Sequence, residues 1–474
     1  MTTLLEAFAA RVARTPNDPA LLDPSGKITT NAELDRRSTA FAAQILKRGL
    51  RKGDRVLVAA PVTSELYVTL AGIWKAGLVA VFPEPALGLR GLLHAIRVTR
   101  PVALATAGRY WLLRLLPALW RMHWLEASRT GDDTFQSPEV TPDDPALISF
   151  TSGSSGAPKG ILRSHGFLMA QNAAVSPLLA SDGTERDLVG FPVFALVNLA
   201  AGRCTVLPNW KLTRQDRAEI EKIRDWITRS GATRLLLPPA ICEKLAATGV
   251  PSSISTIFTG GGPVFPDTIQ RLRHQRPDLR VVAVYGSTEA EPIAHIGTES
   301  ISDADWAEME AGGGLLAGPP VPGLELRLVD GEIQVSGDHV NSGYIDPAQD
   351  AGDKIREDAR IWHRTGDAAR MDTQGRLWLL GRWRADGISQ PMPLQVETSA
   401  RYWPGVSRAA LVRLNDESAV LAIEGDPLHL HEWRRNAETH GVGNVVHVKS
   451  IPMDKRHASK VDERQLRRQL APLC

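Results

Sequence analysis

At 474 residues the chain is longer than one ordinary hydrophobic core, so at least two domains are expected. Its 43% hydrophobic and 23% charged residues describe a globular protein, and a formal net charge of +2 gives no nucleic-acid footprint. Three widely spaced cysteines (Cys204, Cys242, Cys474) without a CxxC pair speak against a zinc site or disulfide framework and fit a reducing, cytoplasmic setting.

In chain order, Leu4–Arg14 reads as an amphipathic helix that stops at Thr15-Pro16 and lacks the apolar stretch of a secretory signal. Residues 31–48 read as a helix, 55–60 as a strand, 64–76 as a helix, 78–82 as a strand and 89–98 as a helix. The longest apolar run, Leu66 to Leu78, carries Lys75 and is too short for a bilayer of roughly 30 Å, so no transmembrane segment is expected.

From Arg109 to Trp124, basic and aromatic residues interleave at roughly helical spacing, interrupted by Pro117. A surface helix dipping into lipid, or one guiding an apolar substrate, is one reading. Ordinary packing under arginine stems is the expected one. Strand and helix patterns recur through 220–230, 234–237, 256–258 and 281–284, which predicts parallel sheets covered by helices.

After about Gly323, segments 324–329 and 332–335 alternate with period 2, as half-buried antiparallel strands do. Another strand, 376–380, ends at Gly381-Arg382, and a boundary is expected near Trp383–Ala385. The fold class is therefore α/β: a large N-terminal domain (1–382) of helix-covered sheets with a β-subdomain, then a small α+β C-terminal domain (383–474).

The apolar run 146–150 leads into Thr151-Ser152-Gly153-Ser154-Ser155-Gly156-Ala157-Pro158-Lys159-Gly160. Such a loop can wrap backbone N–H groups and hydroxyls around phosphate oxygens, with Lys159 adding a point charge. It lacks the Gly-Lys-Ser/Thr of a Walker A loop. Downstream stand Gly260-Gly261-Gly262-Pro263, Tyr285-Gly286-Ser287-Thr288-Glu289, Gly318-Pro319-Pro320, Arg364-Thr365-Gly366-Asp367, Gly381-Arg382 and Lys460. Each is weak alone; Asp367 by itself reads as a turn residue and Glu289 as a solvated charge.

Together and in this order, the motifs resemble the adenylate-forming superfamily of acyl-CoA synthetases, peptide-synthetase adenylation domains and luciferase. The resemblance implies ATP-dependent, AMP-forming activation of a carboxylic acid, with Mg²⁺, and acyl transfer to a thiol (CoA or a carrier protein's phosphopantetheine). It implies that Thr151, Ser152, Ser154, Ser155 and Lys159 hold the β- and γ-phosphates, Glu289 ligates Mg²⁺ and Thr288 touches the α-phosphate. Tyr285 would stack on adenine beside glycines 260–262, Asp367 would bind the ribose with Arg382 nearby, and Lys460 would be the catalytic lysine. Arg384 matches the hinge about which the small, mobile domain rotates.

The acid pocket is expected between the segments around Phe191–Gly202, Leu236–Ala240 and Phe258–Gly262, including Phe194, Ala195, Pro239 and Gly261. These segments are mostly apolar, and Asp187, read as exposed, is not expected to hold an ammonium group. An acyl or aryl acid is therefore favoured over an amino acid.

Three departures concern the acceptor. Residues 387–397 lack the usual Ile-Lys-x-x-Gly of thioester-forming members, Pro192-Val193-Phe194-Ala195 lacks the usual histidine, and Arg456-His457-Ala458-Ser459-Lys460 departs from the usual lysine motif. These segments, with 84–90, are similar to the OleC-type β-lactone synthetases of olefin biosynthesis. In that branch an adenylated 3-hydroxy fatty acid closes on itself, and effective molarity replaces a second bound substrate.

Overall fold

The computed structural model describes residues 3–83, 88–127, 136–151, 158–181, 185–383, 391–414, 419–454 and 459–471. The opening helix, Leu4–Arg14, forms where read: the Thr3 side chain accepts the Glu6 N–H, and Leu4, Ala7 and Phe8 are buried. Thr30 caps the next helix, Asn31–Lys47, in the same way.

Two mixed sheets form the bulk of the fold. One has the order His123–Glu126, Ala103–Thr106, Arg55–Ala59, Val79–Phe82, Pro145–Thr151, Lys159–Ser164. Its strands are parallel except for the last pair. The other runs Ala290–Gly297, Arg280–Ser287, Thr256–Gly260, Arg234–Leu237, Arg186–Val189, Cys204–Val206, Pro19–Leu22, Ile28–Thr30. There only the two outermost pairs are antiparallel. The expected parallel sheets are thus present, closed by an antiparallel pair at one margin of the first and at both margins of the second.

Helices Asn31–Lys47 and Ser64–Lys75 lie in the core that joins these sheets, with Phe41, Ile45, Tyr67, Ile73 and Trp74 in one apolar cluster with Val56 and Leu21. Each such buried side chain contributes about 1.5–3 kcal/mol. Close approach depends on Gly72, where an added Cβ would meet Phe41 Cδ1 at 2.7 Å and Ser38 O at 2.9 Å.

A third, antiparallel sheet contains Leu315–Gly318, Leu377–Arg382, Arg360–Met371, Glu332–Ser336 and Glu325–Val329 in that order. The period-2 segments after Gly323 do pair as antiparallel neighbours. Residues beyond 391 build a separate sheet from Val406–Arg413, Ala419–Gly425 and Asn444–His447. Their two apolar clusters, around Trp433 and around Leu466, draw only on residues 396–470.

Two readings are corrected. Asp187 is fully buried rather than exposed, because Arg234 on the neighbouring strand donates to both carboxylate oxygens at 2.7 and 2.9 Å. The 109–124 segment forms 3-10 turns (Gly108–Leu115 and Pro117–Leu119) and a strand rather than one helix; Tyr110, Leu113, Leu116 and Trp124 pack inward, with Arg114 5.0 Å from the Trp124 ring centre, while Trp111, Leu112, Leu115 and Trp120 remain exposed.

Candidate active site

In open α/β sheets, ligands bind beyond the carboxyl ends of the strands. Three of the sequence motifs sit at such ends: those at Thr151, Gly260 and Tyr285–Glu289. Thr151 ends one strand and opposes Lys159, which begins the next, so the Ser/Gly loop is the connection of an antiparallel hairpin. Ser152, Gly153, Ser154, Ser155 and Gly156 lie outside the described residues. Gly260 ends its strand, and an added Cβ there would lie 2.3 Å from Val284 O. Gly261 has φ +79°, and its Cβ position faces the Phe191 ring at 3.3 Å. Pro263 follows this turn.

The small body closes on the same turn. Ser459 Oγ accepts the Ala240 N–H at 3.2 Å, and a Cβ on Gly262 would lie 2.6 Å from Ser459 Cβ. The adjoining Lys460 is exposed, with its backbone fixed by Asp454 on both sides: Lys460 N–H donates to Asp454 Oδ1 at 3.0 Å and Asp454 N–H donates to Lys460 O at 2.8 Å. Arg401, in the small body, forks onto Asp267 and reaches Glu243, and Arg408 adds a second bond to Glu243. The hinge position, Arg384, lies outside the described residues.

Tyr285, Asp367 and Arg382 meet. The Tyr285 hydroxyl donates to Asp367 Oδ2 at 2.8 Å and Arg382 donates to Oδ1 at 2.7 Å. Burial, then the Asp367 charge, pushes the Tyr285 phenol well up, so it stays protonated and a donor. A carboxylate has about four acceptor sites, which leaves Asp367 capacity for two further hydroxyl donors. Gly366 has φ +66°, and a Cβ there would strike Arg382 Nη2 at 2.7 Å.

Gly286, Ser287, Thr288 and Glu289 form the end of a hairpin in which Ser287 opposes Ala290. A Cβ on Gly286 would meet Ala290 O at 2.9 Å. Arg163 donates to Thr288 O at 2.7 Å, and the Glu289 carbonyl accepts the Asn341 N–H at 2.7 Å. Around the Glu289 carboxylate lies a cluster that the motifs did not announce. Tyr344 Oη is 3.3 Å from Glu289 Oε1 and 2.9 Å from Asp353 Oδ2. Lys159 is ion-paired to Asp353, with its ammonium 4.9 Å from the Tyr344 ring centre.

Lys354 also lies near Tyr344, 5.5 Å from the ring centre, and donates to Asn341 O. Burial pulls its ammonium down to about 8 despite nearby Glu289, Asp350 and Asp353. Burial, then the Lys354 charge, holds His363 at about 4 and therefore neutral at pH 7. Asp353 falls below its usual range because the opposing Lys159 and Tyr344 bonds outweigh the larger single effect of burial.

Ser287 Oγ and Asn341 Nδ2 are buried and lack a hydrogen-bond partner among the described residues. Ser287 lies two residues before Glu289 and Asn341 is bonded to the Glu289 carbonyl through its backbone, and both groups suit the oxygens of a bound phosphate. Among the described residues no group of three or more His, Cys, Asp or Glu could hold a metal alone. That donor set fits Mg²⁺, which takes one or two carboxylates and completes its shell with water and substrate phosphate.

Residues of the three expected pocket segments meet in one apolar cluster. Phe194 begins the helix Phe194–Ala201, Ala195 is buried in it, and Phe194 packs on Val189, Leu236, Phe258 and Val282. Pro239 begins a second helix at the end of the neighbouring strand. Asp187, engaged by Arg234, is not available to an ammonium group.

The AMP-binding enzyme family model matches residues 8–345. The chain belongs to the AMP-binding enzyme family. An olefin β-lactone synthetase from Xanthomonas campestris pv. campestris is 30% identical over 98% of this chain and 97% of its own. A feruloyl-CoA synthase from an Amycolatopsis species is also 30% identical, over 87% of this chain and 86% of its own. In fold, the chain is similar to o-succinylbenzoate coenzyme A synthetase from Bacillus subtilis, solved with ATP and magnesium. The TM-score is 0.78 at 20% identity, covering 97% of this chain and 98% of that one. The protein is thus an AMP-forming acid ligase with the large and small domains of that fold.

Proposed function

We propose that the protein joins an apolar carboxylic acid to AMP and then lets the acid's own 3-hydroxyl displace that AMP, giving a β-lactone. The observation that carries the first step is the docking of the Lys460 loop on the Gly260–Gly262 turn, which is supported by the Ser459 contact. In this reading residues 1–382 bind ATP and acid, and residues 383–474 supply Lys460.

In the first step an oxygen of the carboxylate bonds to the α-phosphorus of ATP, the bond to the β-phosphate oxygen breaks, and pyrophosphate leaves. Two anions must approach, so positive charge is needed where negative charge gathers. Lys460 is assigned to the carboxylate and α-phosphate, and Lys159 with the Ser152–Gly156 loop to the β- and γ-phosphates. Mg²⁺, when bound, neutralises phosphate charge, and Glu289 is assigned as its protein ligand. Asp367 would accept the two ribose hydroxyls while Tyr285 and Arg382 fix its carboxylate. Thr288 is assigned to the α-phosphate, and Phe194, Ala195 and Pro239 to the acyl chain.

In the second step the 3-hydroxyl oxygen bonds to the activated carbonyl, the bond to AMP breaks, and the hydroxyl proton is lost to solvent. Supporting this acceptor are the near-full-length likeness to β-lactone synthetases and the absence of the usual histidine at Phe194-Ala195. A second reading, transfer to CoA or a carrier-protein thiol, is supported by the likeness to feruloyl-CoA synthase and to phenyloxazoline synthases.

Mass spectrometry of products from ATP, Mg²⁺ and matched 3-hydroxy and unsubstituted fatty acids, with and without CoA, separates the two. A product one water lighter than the hydroxy acid, formed without CoA, is expected. An acyl-adenylate that persists until CoA converts it to a thioester would replace this reading with the second.

A further inference from the structure

Between Glu84 and Glu126 the sequence holds six arginines and no aspartate or glutamate, in a chain whose overall charge is nearly balanced. The structure gathers much of this span on one face. Helix Gly88–Thr99 and the turns Gly108–Leu119 both pack inward on a single apolar cluster that contains Leu92, Ala95, Leu104, Leu119 and Phe150. Their outward sides therefore look away from the same side of the sheet.

That outward surface combines large apolar tips with cations. Leu89, Leu93, Trp111, Leu112, Leu115 and Trp120 are 43–74% exposed. Arg90, Arg97, Arg100, Arg109, Arg114 and Arg121 are exposed among them. Trp120 spends its one donor on Arg114 O at 2.8 Å, so its ring is presented as an apolar wedge. Exposed leucines and tryptophans leave apolar area in water that a soluble partner-free surface usually hides. A helix and adjoining turns that present arginines beside exposed Leu and Trp have the composition of a surface lying in a lipid interface, attracted by anionic headgroups.

We propose that this face is a peripheral membrane-docking surface for anionic phospholipid, with the leucines and tryptophans entering the headgroup region and the arginines on its phosphates. Nucleic acid fits less well, since exposed leucines neither stack on bases nor contact phosphates. The face lies beside the site: His94, on the same helix, has Nε2 3.0 Å from Pro158 O at the end of the phosphate loop. The inference stands on the surface alone and is independent of the acid or acceptor.

The test is co-sedimentation of the full chain with vesicles of phosphatidylcholine, with and without phosphatidylglycerol, at low and high salt. Binding to the anionic vesicles, lost on adding salt, is expected, with a blue shift of tryptophan emission. Each arginine near such a surface is worth about fivefold in affinity, so R114E/R121E should lower binding by more than about tenfold. W111S/L115S/W120S should lower it similarly, while ATP–pyrophosphate exchange with a water-soluble acid stays unchanged and shows that the variants are folded. Failure to bind anionic vesicles, binding indifferent to both variants, preferential binding to single-stranded DNA, or self-association abolished by the triple variant would overturn the proposal. Loss of exchange in the unmodified chain would instead overturn the adenylation reading and leave the vesicle result standing.

Discussion

Replacing Arg401 with alanine should release the Lys460-bearing body from the large one. The Arg401 guanidinium is 5% exposed and makes bonds of 2.6 and 3.1 Å to Asp267 and 2.9 Å to Glu243, with its plane 4.5 Å from the Phe265 ring centre. Charge-assisted bonds of this kind are worth about 1.5–3 kcal/mol each but do not add, and Asp267 and Glu243 retain Arg271 and Arg408. A net loss of about 3 kcal/mol in docking, or ~10²-fold in the docked population, is a fair magnitude. ATP–pyrophosphate exchange should therefore fall by about 10- to 100-fold in R401A, and small-angle X-ray scattering should report a more extended particle. R401K should fall between, because an ammonium cannot fork onto both carboxylates. A thermal melt checks that the small body itself is intact. Exchange within about twofold of the unmodified protein, with an unchanged scattering profile, would refute the reasoning.

Burial raises the Glu397 carboxyl to about 8 even though it accepts the Leu411 N–H at 2.9 Å. Its folded value exceeds its unfolded one, so stability falls as pH rises from about 4.5 to about 8; E397Q should add about 3 kcal/mol at pH 7 and flatten that slope in urea melts, and an unchanged slope would contradict this. Asp187→Asn should cost about 3–5 kcal/mol by leaving Arg234 buried without its counter-ion, and D187L/R234M should recover much of that loss in the same melts. Tyr344→Phe removes the hydroxyl between Asp353 and Glu289 and should raise the KM for magnesium–ATP about tenfold with little change in the KM for the acid. An equal rise in both constants would show that Tyr344 acts through the fold at large.

The motifs were legible because each is a run of consecutive residues with glycine where the backbone turns or is closely approached: Gly260–Gly262 and Gly286 at strand ends, and Gly366 inside the strand Arg360–Met371. The parallel sheets followed from apolar runs alternating with helical periods. What sequence could not give was pairing at a distance. Lys159 reads as the last charge of a loop, yet it opens a strand and pairs with Asp353, 194 positions away. Asp187 looks like a polar residue ahead of an apolar run until Arg234 is placed beside it. The 109–124 segment carries helical spacing, but Pro117 and a following strand limit it to 3-10 turns, and Trp111 and Trp120 stay outside while Trp124 packs inward. Tyr344 and Lys354 carry no motif; the pairing of Gly160 with Ile345 and of Ile161 with Tyr344 brings them beside Lys159.

The central claim is acid-dependent adenylation through Lys460, and isotope exchange between pyrophosphate and ATP tests it most directly. Exchange should require a carboxylic acid and Mg²⁺, and K460A should lower it by about 10²–10³-fold while ATP still binds. An absence of acid-dependent exchange, or exchange that K460A leaves intact, would contradict the account.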